Sequence, residues 1–290
     1  MDFITLLSTN SAWLLVTVGL FSLLIGSFLN VVIYRLPIIL ERQWKHECKE
    51  FLGDNSDTLY DAPFNLVVPR SQCPSCGHAI SAWENIPLIS YLVLKGRCIS
   101  CKTPISIQYP IIEAITALLG ILAAWKFGYS IQLIVFLPFT WVLIALFMID
   151  AKTMLLPDHL TLPLLWAGIL VNYYGVFTDL HSSVMGAMIG YISVWSIFWI
   201  FKLLTGKEGM GYGDFKLLAA LGAWGGWAIL PFVIFSASAF GAIFGLAWML
   251  LKRQETSTPL PFGPWLVVAG WVALFWQPTL TTLTRNYFFP

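Results

Sequence analysis

Apolar residues in this chain come in long runs, each near the ~20 residues that cross a bilayer as a helix. Eight spanning helices are expected, at about 12–33, 110–127, 130–149, 160–177, 183–201, 215–231, 232–251 and 262–280. Polar residues collect between these runs, and the longest polar stretch is 35–109. Gly225-Gly226 and Pro231 both offer a break between the sixth and seventh runs, so that boundary stays open. The first run is too long for a signal-peptide core and has no basic segment before it.

Composition sharpens this picture. The 290 residues are 58% hydrophobic and 11% charged, with a mean hydropathy of +0.77. These values suit an all-α polytopic membrane protein rather than a soluble globular one. A net charge of +1 argues against an electrostatic nucleic-acid binder. Lysine and arginine set the orientation. With the N-terminus outside, only Lys126 and Arg285 of the 16 basic residues fall outside. Loop 35–109 is then cytoplasmic, and eight crossings put both termini outside. Three parts follow: a first transmembrane helix (1–34), a cytoplasmic loop domain (35–109) and a membrane core of about seven helices (110–290).

Two aspartates stand out in a chain with little room for charge. Asp150 ends the apolar run Val142 to Ile149, and Asp214 follows the glycine-rich turn Gly209-Met210-Gly211-Tyr212-Gly213. An ionisable group at a membrane helix is costly and is by default a functional candidate. The fourth helix leaves the inner face and the fifth returns to it, so both carboxylates lie on that face. Two such groups can share one proton and activate water, as in an aspartyl protease. The plain alternative is an unrelated pair of interfacial acids, since an Asp at a helix start is also a good cap. Asp214 sits at a helix start and Asp150 at a helix end, and these unlike fields suit one acid and one base. The GxG pattern is weak evidence for a dinucleotide site, which needs a preceding strand in a βαβ unit. Its local reading is a sharp turn with close backbone approach.

The loop carries Cys73-Pro74-Ser75-Cys76 and Cys98-Ile99-Ser100-Cys101. Two CxxC knuckles at this separation suit one tetrahedral zinc held by four thiolates, in a small zinc ribbon. A cytoplasmic loop argues against the alternative of disulfides. Four sulfurs close the coordination shell, so the zinc should be structural. Gly77 and Lys102 follow the knuckles and fit tight turns. His78 reads as a surface residue and Cys48 as a free thiol.

Other polar residues carry weaker signals. Glu113 reads as a dipole-satisfying acid at the start of the second helix, rather than a catalytic one. Asp158 starts the fourth helix, with its role open. Lys152, two residues past Asp150, has two readings, a modulator of the aspartate pair or the more usual topology determinant. Asn30 is placed to hydrogen-bond across helices.

Several segments together resemble the bacterial type IV prepilin peptidases, the leader peptidase/N-methyltransferases of the GxGD aspartyl-protease type. They are Gly26-Ser27-Phe28-Leu29-Asn30-Val31-Val32-Ile33-Tyr34-Arg35-Leu36-Pro37, the two knuckles, and Tyr109-Pro110-Ile111-Ile112-Glu113. Ile149-Asp150 through Leu156-Pro157-Asp158, Gly211-Tyr212-Gly213-Asp214 and Pro261-Phe262-Gly263-Pro264 complete the set. The resemblance implies an inner-membrane enzyme that cuts the basic leader from type IV prepilins, or from pseudopilins of type II secretion. The cut falls after a glycine on the cytoplasmic side. The enzyme then methylates the new N-terminal residue, usually phenylalanine, with S-adenosylmethionine. The catalytic aspartates map onto Asp150 and Asp214, and the zinc ligands onto Cys73, Cys76, Cys98 and Cys101. No residue is assigned to the methyl donor.

Two other classes compete. An ion-coupled carrier also places acids among broken helices, but no inverted repeat is visible and both aspartates fall at one face. A zinc-ribbon scaffold would leave the two aspartates unexplained.

Overall fold

The computed structural model describes residues 3–53, 63–206, 210–252 and 261–288. Gly209 of the glycine-rich turn, and Lys207 and Arg253 among the basic residues counted as inside, lie outside the described residues. The chain divides into two compact units, 1–129 and 130–290. No β-strand occurs among the described residues.

The first unit holds α1 (Phe3–Thr9), α2 (Ser11–Phe51), α3 (Ile89–Val93) and α4 (Gln108–Phe127). Asn10 caps α2, its side chain accepting from the N–H groups of Ala12 and Trp13. The helix continues well past the predicted spanning stretch, through Pro37 to Phe51. α2 packs along α4. A Cβ on Gly26 would lie 2.8 Å from Glu113 Cα, so the two backbones meet where the side chain is smallest. Asn30 then bridges the pair, donating to Gly26 O and Tyr109 O at 3.2 Å each. The cross-helix role expected of Asn30 is thus present.

The second unit holds α5 (Ile131–Thr153), α6 (Asp158–Tyr173), α7 (Leu180–Thr205), α8 (Tyr212–Gly225), α9 (Leu230–Lys252), α10 (Gly263–Phe275) and α11 (Gln277–Phe288). Its centre is α8, whose Leu217, Leu218 and Ala220 are 0% exposed. A helix apolar on all sides is a buried helix. α6, α7 and α10 surround it. Gly186 of α7 and Gly222 of α8 bring their backbones into direct contact, with no space for a Cβ on either. Trp224 of α8 packs on Gly168 of α6 and donates its ring N–H to Leu164 O at 2.8 Å.

Among the described residues, five helices are long and apolar enough to cross a membrane, or six if the bent pair Gly263–Phe275 and Gln277–Thr284 is one span. The protein is therefore an all-helical, multi-pass membrane protein. Two of the eight expected spans are shorter than hydropathy suggested. α6 has 16 residues and α8 has 14, about 24 and 21 Å at 1.5 Å per residue. α6 stops at Tyr173 because Asn172 turns the chain. Its Oδ1 accepts the N–H groups of Phe177 and Thr178, and its Nδ2 donates to Ala223 O and Trp224 O. α8 stops at Gly226, where φ is +80°. The expected 262–280 span bends by 90° between α10 and α11.

Candidate active site and cysteine cluster

Asp150 lies in the last turn of α5 and Asp214 in the first turn of α8. They are 5% and 6% exposed, so both are buried carboxylates. Each faces a glycine N–H: Gly263 for Asp150 and Gly211 for Asp214. Asp214 also feels the charge of Asp150. The pair that topology brought to one face is therefore an interacting pair. Asp150 Oδ2 and Asp214 Oδ1 are buried with no hydrogen-bond partner in the protein. Two buried acceptors without partners leave bonding capacity for water or a peptide group.

Glycines make this approach possible. A Cβ on Gly263 would lie 2.5 Å from Asp150 Oδ2, so only glycine lets the start of α10 reach that carboxylate. A Cβ on Gly213 would lie 2.6 Å from Leu156 Cβ. Leu156 also borders Gly263, with its Cδ1 3.2 Å from the Cβ position there. One leucine thus fills the space between the glycines beside the two aspartates. Leu156 and Gly263 both fall in segments that carry the family resemblance, Leu156-Pro157-Asp158 and Pro261-Phe262-Gly263-Pro264, but no local pattern marks either as a neighbour of the aspartates.

Asp158 begins α6, as expected, and gains a partner. Lys216 Nζ donates to both of its oxygens at 2.7 Å, tying α6 to α8 two residues past Asp214. Glu113 differs from expectation. α4 starts at Gln108, so Glu113 lies beyond its first turn and does not serve that helix's dipole. Its carboxylate accepts the Leu88 N–H at 2.8 Å, at the start of α3, and also bonds Ser27 of α2. Arg35 is 7% exposed and donates to Asn65 O at 2.9 Å and Pro69 O at 2.7 Å. Glu113 and Arg35 thus fasten the polar loop to the helix pair of the first unit.

The four loop cysteines converge. Their sulfurs all lie within 4.8 Å of one another, a group that could hold a metal ion. All five cysteines are free thiols, Cys48 included. The two knuckles repeat one geometry. Cys73 N–H donates to His78 O and Cys98 N–H to Thr103 O, both at 2.9 Å. Gly77 N–H returns to Cys73 O and Lys102 N–H to Cys98 O. Gly77 and Lys102 both have positive φ, +71° and +61°, as the tight turns require. Each knuckle is closed by one isolated antiparallel bridge, Gln72 with Ala79 and Arg97 with Pro104. The Thr103 hydroxyl, 3.2 Å from Cys101 Sγ, and the Thr103 N–H hold that thiol down at about 6. His78 is half-buried and bonds Glu84 through Nε2 at 3.0 Å. Glu84 also accepts from the N–H and hydroxyl of Ser81.

Residues 20–127 match the Bacterial Peptidase A24 N-terminal domain, and residues 137–246 match the Type IV leader peptidase family. A protein of Pseudomonas aeruginosa named prepilin leader peptidase/N-methyltransferase is 54% identical over 270 residues, 93% of this chain and 92% of that relative. The chain belongs to the type IV leader peptidase family. Relatives of the same name include one from Aeromonas salmonicida, 56% identical over 265 residues, 91% of each chain. One from Legionella pneumophila is 46% identical over 285 residues, 98% of this chain and 99% of its own. No solved structure matches this chain. Within this leader peptidase family member, the cysteines fall in the first matched segment and both aspartates in the second.

Proposed function

We propose that this chain is a membrane aspartyl endopeptidase and N-methyltransferase. It removes the leader of type IV prepilins or pseudopilins after a glycine at the cytoplasmic face, then methylates the new N-terminus with S-adenosylmethionine. The observation that carries the reading is the pair Asp150 and Asp214, buried, interacting, and each set against glycine backbone. One ionised aspartate takes a proton from water. The other, protonated, donates to the scissile carbonyl oxygen. The unpartnered oxygens are where water and the carbonyl are received.

The protein resides in the inner membrane with eight crossings and both termini outside. α6 and α8 cross as short helices sheltered within the second unit, where neighbouring helices rather than lipid cover them. The parts are the first helix (1–34), the loop domain (35–109) and the membrane core (110–290).

Zinc fits the four thiols. Tetrahedral Zn–S bonds of about 2.3 Å put sulfurs ~3.8 Å apart, and Cys73 and Cys101 lie at 3.7 Å. Cys73, Cys76, Cys98 and Cys101 would hold the ion as a zinc ribbon, and its task is to brace the loop. The methyl donor needs polar groups on this apolar chain. Asn30 Oδ1 and Ser22 Oγ are buried without partners, on the helix pair that also buries Arg35 and Glu113. These groups mark a polar region able to meet such a donor.

The test uses detergent-solubilised protein, with no ion gradient, and a leader-bearing pilin peptide. Cleavage is expected. Asp150→Asn and Asp214→Asn should each abolish it, and the double variant should be hardly worse, because the two act as a unit. Near-normal cleavage by either single variant contradicts the assignment. Activity that appears only with an ion gradient favours a carrier.

A further inference from the structure

We infer that α3 and the turn before it lie in the lipid headgroup layer, where an apolar stripe enters the bilayer and the basic residues after it meet anionic lipid. The inference rests on α2 and α4 crossing the membrane, not on the peptidase reading. Ile89, Leu92 and Val93 of α3 stand at i, i+3 and i+4, on one face of the helix. They are 59%, 73% and 73% exposed. Trp83, 82% exposed, belongs to the 3-10 turn Trp83–Asn85, which packs on α3. Tyr91, on another side of α3, packs against Gly96, where a Cβ would lie 2.9 Å from its hydroxyl oxygen. An apolar stripe left open on a packed element marks an interaction surface.

Depth decides the partner. The entry to α3 is fixed to α4, because Leu88 donates its N–H to Glu113 at 2.8 Å. α4 has 20 residues, about 30 Å at 1.5 Å per residue, which is the thickness of the hydrocarbon core. Glu113 lies about 7.5 Å along that length from Gln108, the first residue of α4. Helical side chains lean toward the N-terminus, so Leu88 is held at the level of the first turns of α4. Tyr34 of α2 and Tyr109 of α4, 61% and 44% exposed, stand at the end where Asn30 joins the two helices. Aromatic residues of this kind collect at membrane surfaces. An interfacial amphipathic helix buries its apolar face ~5–10 Å into the boundary of headgroups and acyl chains, the depth at which the Glu113 bond holds α3.

Charge names the lipid. Lys95 and Arg97, both exposed, follow α3 closely. Residues 63–107 carry Arg70, Lys95, Arg97 and Lys102 against one acid, Glu84, and Glu84 is engaged by Ser81 and His78. Basic side chains beside an inserted apolar stripe favour anionic headgroups. The same charges repel a basic leader, which argues against the substrate as the occupant.

The experiment places the full chain in vesicles of phosphatidylcholine and phosphatidylglycerol, with a photoreactive group in the acyl chain of one lipid or the other. Mass spectrometry maps the labelled residues. Trp83 and the stripe Ile89, Leu92 and Val93 should be labelled, by phosphatidylglycerol about fivefold more than by phosphatidylcholine, the scale of one basic side chain at an anionic surface. Ile111 and Ile115, exposed on α4, report insertion. Leu92→Asp combined with Val93→Asp should abolish labelling of the stripe and leave that of α4. Lys95→Gln leaves the stripe intact and should at least halve the excess from phosphatidylglycerol, so an unfolded loop in the first variant does not end the test. A wild-type stripe without label beside a labelled α4 overturns the inference. Equal labelling by the two lipids overturns the anionic partner. Labelling that falls as more chains are placed in each vesicle overturns it as well, with a second copy as the occupant. An unlabelled α4 overturns its crossing of the membrane, which is a distinct result.

Discussion

Gly263 stands against Asp150 so closely that one added methyl group would lie 2.5 Å from Oδ2 and 3.0 Å from Cγ. Contacts this short force a shift of the carboxylate or of α10, since overpacking a dense site costs about 1–3 kcal/mol. Gly263→Ala should lower cleavage at least tenfold while the protein still inserts and keeps its helical content. Circular dichroism and a peptide-cleavage assay on one preparation decide this. Unaltered cleavage would show that the approach of α10 to Asp150 is not needed.

The two glycines before Asp214 should behave differently. A Cβ on Gly213 meets Leu156 Cβ at 2.6 Å, whereas a Cβ on Gly211 meets nothing nearer than Asp214 Oδ2 at 3.7 Å. Gly211 also has φ of −80°, open to any residue. Gly211→Ala should retain activity within about threefold, and Gly213→Ala should lose most of it, by the overpacking already invoked. Equal losses in the two variants would mean that backbone freedom, not contact with Leu156, is the requirement.

The four cysteines were legible because ligand spacing is a local property, and Asp150 and Asp214 because charge is rare in apolar runs. Counting crossings could also bring both aspartates to one face without any contact information. The partners of these residues were not legible. Gly263 reaches Asp150, and Lys216 reaches Asp158, across distances in sequence that periodicity does not register. Hydropathy likewise missed the end of α6, because Asn172 turns the chain with side-chain bonds inside an apolar stretch. Glu113 was placed by its neighbour Pro110, yet its bond goes to Leu88, in the loop ahead of its helix.

Glu84 gives the loop a defined acid sensitivity. Hydrogen bonds from the Ser81 hydroxyl and N–H, then His78, hold its carboxyl at about 2 against an ordinary 4.5. Between those values the unfolded loop binds a proton that the folded loop does not. The stabilising effect is therefore full above the ordinary value and is lost as pH falls toward about 2. Amide exchange at residues 78–84 should be slower in wild type than in Glu84→Gln at pH 6, with the difference vanishing near pH 2. A constant difference across that window would rule out this ionisation.

Metal content should be about one zinc per chain, as one closed four-thiolate shell requires. Cys73→Ser or Cys98→Ser removes one of the two buried sulfurs. Each should lose the metal and make the loop susceptible to protease, while α5 to α10 stay folded. Chelation of the wild type should reproduce that proteolysis pattern. Metal-free protein with an equally resistant loop would refute the structural role.

Methyl transfer should survive loss of the aspartates. Transfer from a sulfonium needs a bound donor and a free amine held in line, which is a matter of positioning rather than water activation. The buried polar groups of the first unit, Asn30, Arg35 and Glu113, are on different helices from Asp150 and Asp214. An already cleaved pilin, given to Asp150→Asn with S-adenosylmethionine, should gain one methyl group by mass spectrometry. The same variant should fail on the uncleaved substrate, because no free N-terminus is exposed. Asn30→Leu makes the reverse comparison: it removes the unpartnered Oδ1 and the bond to Tyr109 O. That variant should cut normally and methylate at least tenfold more slowly. If Asp150→Asn folds and binds the donor yet transfers nothing, the two activities share the carboxylate pair and the proposed separation is wrong.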